Sequence, residues 1–255
     1  MPYWERAPDP RLAPYLERIA FSTDPPGPPS APIRVIPDGR IDLLLSVDDR
    51  GTGRADIFGV KTAALFAHSA RPVTNIALRF RPGAASALLG VRADELTDRT
   101  VAADELLGAG FTARLLEAKG SRGHRERLEA AMLARIPSAD GDLDALARLA
   151  AARIERRAGQ TRIAALASEL GVGERRLERA FRAHVGVGPK TFARIARFSA
   201  AWRALERGGR PVEIALAQGY FDQPHLVRDF VAFASDSPRR IFPSRGRSAE
   251  ASLGA

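Results

Sequence analysis

The chain has no cysteine, which excludes disulfides, thiolate metal sites and cysteine nucleophiles. Histidine is scarce: His68, His124, His184 and His225 are the whole set. None has another histidine three or four residues away, so no zinc motif is read. No stretch approaches the roughly 18 consecutive apolar residues of a membrane span. The start, MPYWERAPDPRLAPYLERIAF, carries charges and prolines where a signal peptide needs an apolar run. Serine and histidine occur without a nucleophile-elbow pattern. These absences predict a cytoplasmic protein with no membrane partner, no metal, no cofactor and no enzymatic activity.

What is present in excess is positive charge. The net charge is +9 and the isoelectric point about 10.9, values that suit a polyanionic partner. The charge is uneven: residues 160–247 carry fifteen Arg and one Lys against eight Asp and Glu, whereas residues 1–159 come to only +2. Lys61, Lys119 and Lys190 are the only lysines. An Arg-rich composition alone does not explain the asymmetry.

The basic segment also contains a repeat. The first copy is IAALASELGVGERRLERAFRAHVGVGP and the second is EIALAQGYFDQPHLVRDFVAFASDSP. Ala167 precedes Gly171 by four residues, as Ala215 precedes Gly219; Leu177 precedes Phe181 by four, as Leu226 precedes Phe230. Each copy reads as a short helix, a glycine turn and a second helix, the pattern of a helix-turn-helix. In the first copy Leu177, Ala180 and Phe181 are predicted to face inward, leaving Arg175, Arg176, Glu178, Arg179 and Arg182 outside. In the second, Asp222 is a candidate N-cap and Pro224 falls in the first turn, where its missing N–H does no harm. There Leu226, Phe230 and Phe233 face inward, and Gln223, His225, Val227 and Arg228 outward.

Such helices suit the major groove of double-stranded DNA. Arg pairs bidentately with guanine, Gln with adenine, and Val meets a thymine methyl. Between the copies, Thr191 to Arg207 carries an apolar stripe of Phe192, Ile195, Phe198, Trp202 and Leu205. A helix of that length, about 25 Å, sets two recognition helices near one turn of DNA apart, roughly 34 Å. Arg197, inside this connector, reads as an ion-pair or phosphate residue, and Glu178 as either a cytosine acceptor or a partner for Arg175 or Arg182.

The segment from about 160 to 243 resembles the AraC/XylS family DNA-binding domain. The matching residues are Leu166-Ala167, Leu177, Arg179, Phe181, Gly186, Pro189, Arg197, Ala201, Ile214-Ala215, Gly219-Tyr220, Leu226, Arg228, Phe230 and Pro238. The resemblance implies a bacterial, sequence-specific transcription regulator, leaning toward activation, with RNA polymerase as an indirect partner. It also implies base-facing roles for Arg175, Glu178, Arg179, Gln223, Pro224, His225, Val227 and Arg228. Two departures stand out: Ser235 occupies a position where glycine is usual, and Pro224 has no donor, so it reads shape at most. An alkyl-transfer repair role found in one branch of this superfamily needs a cysteine and is excluded.

The N-terminal part resembles the uncharacterised sensor-like domain of the same subgroup, on IPDGRIDLLLSV, the FGV of residues 58–60, RFRPGAASALLGV and ELTDRTVAADELLG. By analogy it binds a small-molecule effector or mediates homodimerisation. The predicted fold is α+β: a mixed strand-then-helix domain followed by an all-α domain of two helix-turn-helix units joined by a long helix. The expected boundaries are 1–122 for the effector or dimerisation domain, 123–158 for a helical connector, 159–243 for the DNA-binding domain and 244–255 for a flexible tail. Within the first part the patterns predict a helix over Leu12–Phe21 and a proline-rich loop over 24–32. They also predict a hairpin of Ile33–Ile36 with Ile41–Val47, strands at 55–60, 63–67 and 73–80, and a helix over Pro82–Leu89. Helices over 124–136 and 142–158 follow, the latter with Leu143, Leu146, Leu149 and Ile154 on one apolar face. Arg79 and Arg81 are candidate anion ligands, with ordinary surface charge as the other reading; Asp48-Asp49 reads as a solvated turn. The alternative function is a small-molecule-binding or enzymatic N-terminal domain that the C-terminal module targets to DNA.

Overall fold

A computed structural model describes residues 3–23, 33–67, 73–137 and 142–243. The expected loop at 24–32, His68 and the tail at 244–255 lie outside the described residues. The N-terminal part is a six-stranded antiparallel sheet of β1 (Tyr3–Arg6), β2 (Leu16–Thr23), β7 (Val73–Phe80), β4 (Asp42–Asp48), β5 (Gly53–Phe58) and β8 (Thr100–Ala102), in that spatial order. A separate pair joins β3 (Ile33–Val35) and β6 (Leu65–Ala67). Alternation along β4 and β7 puts Leu43, Leu45, Val47, Ile76, Leu78 and Phe80 on the buried face. Short helices α1 (Ala85–Leu89), α2 (Ala103–Leu107) and α3 (Phe111–Leu116) follow the strands, then α4 (Gly120–Leu133). Helices α2 and α3 pack against β5 and α4 against β7, covering the apolar sheet face.

The second part is all helical: α5 (Asp142–Arg156), α6 (Ile163–Glu169), α7 (Glu174–Val185), α8 (Pro189–Glu206), α9 (Pro211–Ala217), α10 (Gln223–Ala234) and α11 (Pro238–Ile241). The predicted α+β architecture, sheet-rich part first and helical part second, is the observed one.

Three local expectations are corrected. The helix expected over Leu12–Phe21 is a turn followed by β2. Leu12, Leu16 and Ile19 imitate helical spacing, but the register of β2 on β7 shifts between Leu16 and Arg18. That bulge inserts one residue and returns Leu16 and Ile19 to the same buried face. The expected hairpin across Pro37–Gly39 does not form: β3 pairs with β6, and β4 with β5 and β7. The turn is used for docking instead. Gly39 has φ +77°, and a Cβ there would lie 2.6 Å from the Phe192 ring of α8. Finally, Leu149 is exposed rather than inward; the buried residues of α5 are Ala147, Ala150, Ala151 and Ile154. The short edge strand β8 was not anticipated, because three residues at a helix start carry no period of their own.

A single apolar core runs from the sheet through α1 and α5 into α7 and the start of α8. Leu177, Ala180 and Phe181 are fully buried within it, and Phe181 packs edge-on to Phe192 at 5.7 Å. Polar contacts fix the end of α7 to the first part. The Thr97 hydroxyl donates to the Gly186 carbonyl at 2.6 Å, and the Ser86 hydroxyl approaches the Ala183 and His184 carbonyls at 3.3 and 3.4 Å. The second unit has its own core of Phe198, Ala201, Leu226, Phe230 and Phe233, against which Ile36 is the packed side chain from the first part.

Thr97→Val is expected to cost about 0.5–1.5 kcal/mol, and Gly39→Ala more than the roughly 1–2 kcal/mol of its left-handed backbone alone, since the added Cβ also meets the buried Phe192 ring, both read by chemical denaturation. Hydrogen exchange should quicken in Glu174–Val185 more than in Gln223–Ala234 in both variants. Equal acceleration in the two helices would show that the sheet domain does not hold the first unit selectively.

Candidate DNA-binding surface

In the first unit Gly171, at φ +66°, closes α6 and lets the chain turn into α7. At 3.6 residues per turn, Arg175, Arg179 and Arg182 line up opposite the buried face of Leu177, Ala180 and Phe181. All three are exposed, as is Arg176 to one side. Glu178 is half-buried and accepts from the Arg182 Nε at 2.9 Å. Its carboxylate also abuts Gly188, where a Cβ would lie 2.6 Å from Oε1. Of the two partners considered for Glu178, Arg182 is the one engaged. Arg175, Arg176 and Arg179 make no ion pair among the described residues.

In the second unit Gly219, at φ +71°, ends the turn after α9. The Asp222 carboxylate accepts the backbone N–H of His225 at 2.7 Å, the predicted N-cap, and Pro224 sits in the first turn. Gln223, Pro224 and Arg228 are exposed; His225 and Val227 are half-buried. The His225 ring meets Tyr220 edge-on at 5.2 Å. Arg228 has no ion-pair partner among the described residues. The structure thus places the sequence-predicted residues on two separate outward helix faces, α7 and α10.

Two residues in this region were not anticipated. Phe221, immediately before the cap, is 89% exposed beside Gln223. Asp229 is only 2% exposed within an otherwise apolar helix face. Its Oδ1 accepts from Arg194 at 2.7 Å and its Oδ2 from Arg197 at 3.3 Å. Arg197 also lies over the Tyr220 ring at 4.5 Å, and Arg194 over Phe233 at 5.1 Å. Burial, and then the Asp229 carboxylate, push the Tyr220 hydroxyl above the ordinary phenol range, so it stays neutral. The signal was there to read: an acid beside Phe230 and three residues after Leu226, with Arg194 and Arg197 three apart on α8. Arg197 is the ion-pair residue that its place in the connector suggests.

Elsewhere the candidate charges are structural. Arg79 pairs with Asp38 at 2.7 Å and Asp42 at 2.9 Å, and the Arg81 Nε donates to the Ala13 carbonyl at 2.8 Å. These bonds correct the anion-ligand reading. Burial raises the Asp42 carboxyl above its ordinary range despite the Arg79 guanidinium. Asp48 accepts the N–H groups of Arg50 and Thr52, as a turn aspartate does. No group of three His, Asp or Glu is placed to hold a metal ion among the described residues. No described helix is long and apolar enough to cross a membrane.

Against known proteins, a family described as a helix-turn-helix domain matches residues 166–243, and a domain of unknown function, DUF6597, matches residues 5–102. The chain matches no curated protein sequence. Among solved structures, unsaturated-fatty-acid-bound ToxT from Vibrio cholerae is similar at 11% identity over 93% of this chain and 96% of its own, with a TM-score of 0.46. A 1.65 Å structure of ToxT from the same organism is similar at 12% identity over 87% of this chain and 97% of its own, with a TM-score of 0.45.

Two substitutions test this geometry. Asp229→Ala leaves two guanidiniums without their carboxylate and is expected to cost about 3–5 kcal/mol, read by urea denaturation. Ser235 takes φ +59° where the helix ends. That conformation costs an L-residue roughly 1–2 kcal/mol, more than the about 0.4–1 kcal/mol that glycine's extra freedom gives the unfolded chain. Ser235→Gly should therefore raise the melting temperature; a fall would mean that the serine side chain contributes something the backbone angle hides.

Proposed function

We propose that the chain is a DNA-binding transcription regulator of the AraC type, whose helix-turn-helix domain matches over residues 166–243, and that α7 and α10 enter successive major grooves of one duplex. The observation that carries this reading is the pairing of two outward helix faces on either side of one 18-residue helix, α8. At 1.5 Å per residue α8 spans about 27 Å, which suits recognition helices about one DNA turn apart. Arg175 and Arg179 read guanine from α7, and Arg176 lies at the groove edge. Arg182, tied by Glu178, is directed to the backbone, which positions without specifying. On α10, Gln223 reads adenine, Val227 packs on a thymine methyl and Arg228 reads guanine. His225 adds a half-buried polar edge, and Pro224 contributes shape alone.

Residues 1–122 then serve as an effector-binding or dimerisation unit, residues 123–158 as a connector and 159–243 as the DNA-binding unit. A cleft of about 310 Å³, bordered by Arg18, Arg40, Arg79 and Glu155, lies where the sheet meets α5 and α8. Its placement supports a small-molecule effector acting on the junction. The protein performs no covalent chemistry in this reading; it works in the cytoplasm and affects RNA polymerase indirectly.

The test is the affinity of full-length protein for its preferred duplex and for single-base variants at fixed salt. Arg179→Ala and Arg228→Ala are each expected to relax discrimination at one position by about 1–3 kcal/mol. Uniform weakening across all sequences would reassign both arginines to phosphate.

A further inference from the structure

We infer that the cleft between the two helix-turn-helix units seats the DNA phosphate backbone that crosses between the two major grooves, with Lys190 as its free cation beside the base-reading Arg228. This rests on the DNA-binding reading above and adds a site to it. The cleft, of about 600 Å³, is lined by Thr161 ahead of α6, by Lys190, Arg194 and Arg197 on α8, and by His225 and Arg228 on α10. It is therefore built by both units and the connector together.

Its electrostatics need an anion. Four cationic side chains border it, and Asp229 is the one carboxylate among its lining residues. That carboxylate is buried and shared between Arg194 and Arg197, so even the paired part keeps a positive excess. Lys190 and Arg228 make no ion pair among the described residues. The Thr161 hydroxyl and the Arg197 Nε are buried at the cleft with no hydrogen-bond partner there. Concave placement of like charges raises the local potential and concentrates counter-ions.

Geometry chooses which anion. Two helices in successive major grooves on one side of a duplex are separated by a minor groove and the phosphate strands that bound it. The surface lying between α7 and α10 meets that backbone. Phosphates of one strand recur about every 3.4 Å of helix axis, so Lys190, Arg194 and Arg197 spread across one cleft match a run of phosphates better than a single small ion. The Asp229 tie then has a second role: it holds Arg194 and Arg197 in fixed directions, so little side-chain freedom is lost when DNA arrives.

The experiment measures the dissociation constant of full-length protein over a salt series, on its preferred duplex and on a scrambled one, for wild type, Lys190→Gln and Lys190→Arg. Lys190→Gln should reduce the steepness of log affinity against log salt by about 0.9 and weaken both duplexes by the same factor. Lys190→Arg should restore the slope. Replacing the phosphates between the two half-sites by neutral methylphosphonates should weaken wild type more than Lys190→Gln. Lys190 is exposed and unpaired among the described residues, so the thermal melt of each variant should match wild type. An unchanged slope in Lys190→Gln, with sequence preference intact, would overturn the seat and leave the regulator reading standing. Wild-type protein that binds no duplex would overturn both.

Discussion

Helix α7, the first of the two proposed recognition helices, is held in place by a core that it does not own. Leu177, Ala180 and Phe181 are buried in the same apolar cluster as Leu43, Ile76 and Phe80 of the sheet, and Phe192 at the head of α8 closes that cluster against Gly39. Because interiors pack at near-crystalline density, the sheet domain and the first unit cannot shift independently without opening voids. The second unit is attached differently. Its core of Phe198, Leu226, Phe230 and Phe233 is separate, and its ties to the sheet part come from Ile36 and from the Ser199 hydroxyl reaching the Pro37 carbonyl at 3.4 Å. A change in the sheet domain is therefore expected to act first on α7 and to reach α10 through α8 and the Ile36 contact. The distance and angle between the two proposed DNA-reading faces is the quantity such a change would alter.

A charged seam complements this core. Arg40 donates to Glu17 at 2.7 Å and pairs with Glu155 of α5 at 2.8 Å, while Arg79 bridges Asp38 and Asp42. Burial acts against the Glu17 charge, but Arg40, Arg18 and Arg79 together outweigh it and lower the carboxyl below its ordinary range. Half-buried pairs of this kind give little net stability, since desolvation offsets the attraction. Their value here is directional: the Arg40–Glu155 pair ties α5 to the sheet part at one point. The Asp229 pair of guanidiniums does the same for α10 on α8.

The helical half was far more legible than the sheet half. The spacing from Ala167 to Gly171, from Leu177 to Phe181 and between their counterparts located α6, α7, α9 and α10, because each glycine turn and each buried face recurs at a fixed offset; the short α11 carries no such signal. The outward positions of Arg175, Arg179, Gln223 and Arg228 followed from that register. The sheet was less readable because strand pairing is non-local. Nothing near Pro37–Gly39 reveals that the turn is occupied by Phe192, more than 150 residues away. The bulge at Leu16–Arg18 disguised a strand as a helix. Asp229 was missed because a lone acid in an apolar stripe looks like a solvated edge until Arg194 and Arg197 are placed opposite it. The clustering of Lys190 with Arg228 needs the fold, since they lie on different helices.

The most direct measurement is selection of bound duplexes from a random library by full-length protein at one stated, near-physiological salt concentration, since affinity depends steeply on salt. The account predicts a motif of two blocks about ten base pairs apart, one read by α7 and one by α10. A single short block would contradict it by showing that one unit only anchors, and the absence of any enriched sequence would contradict specific recognition altogether.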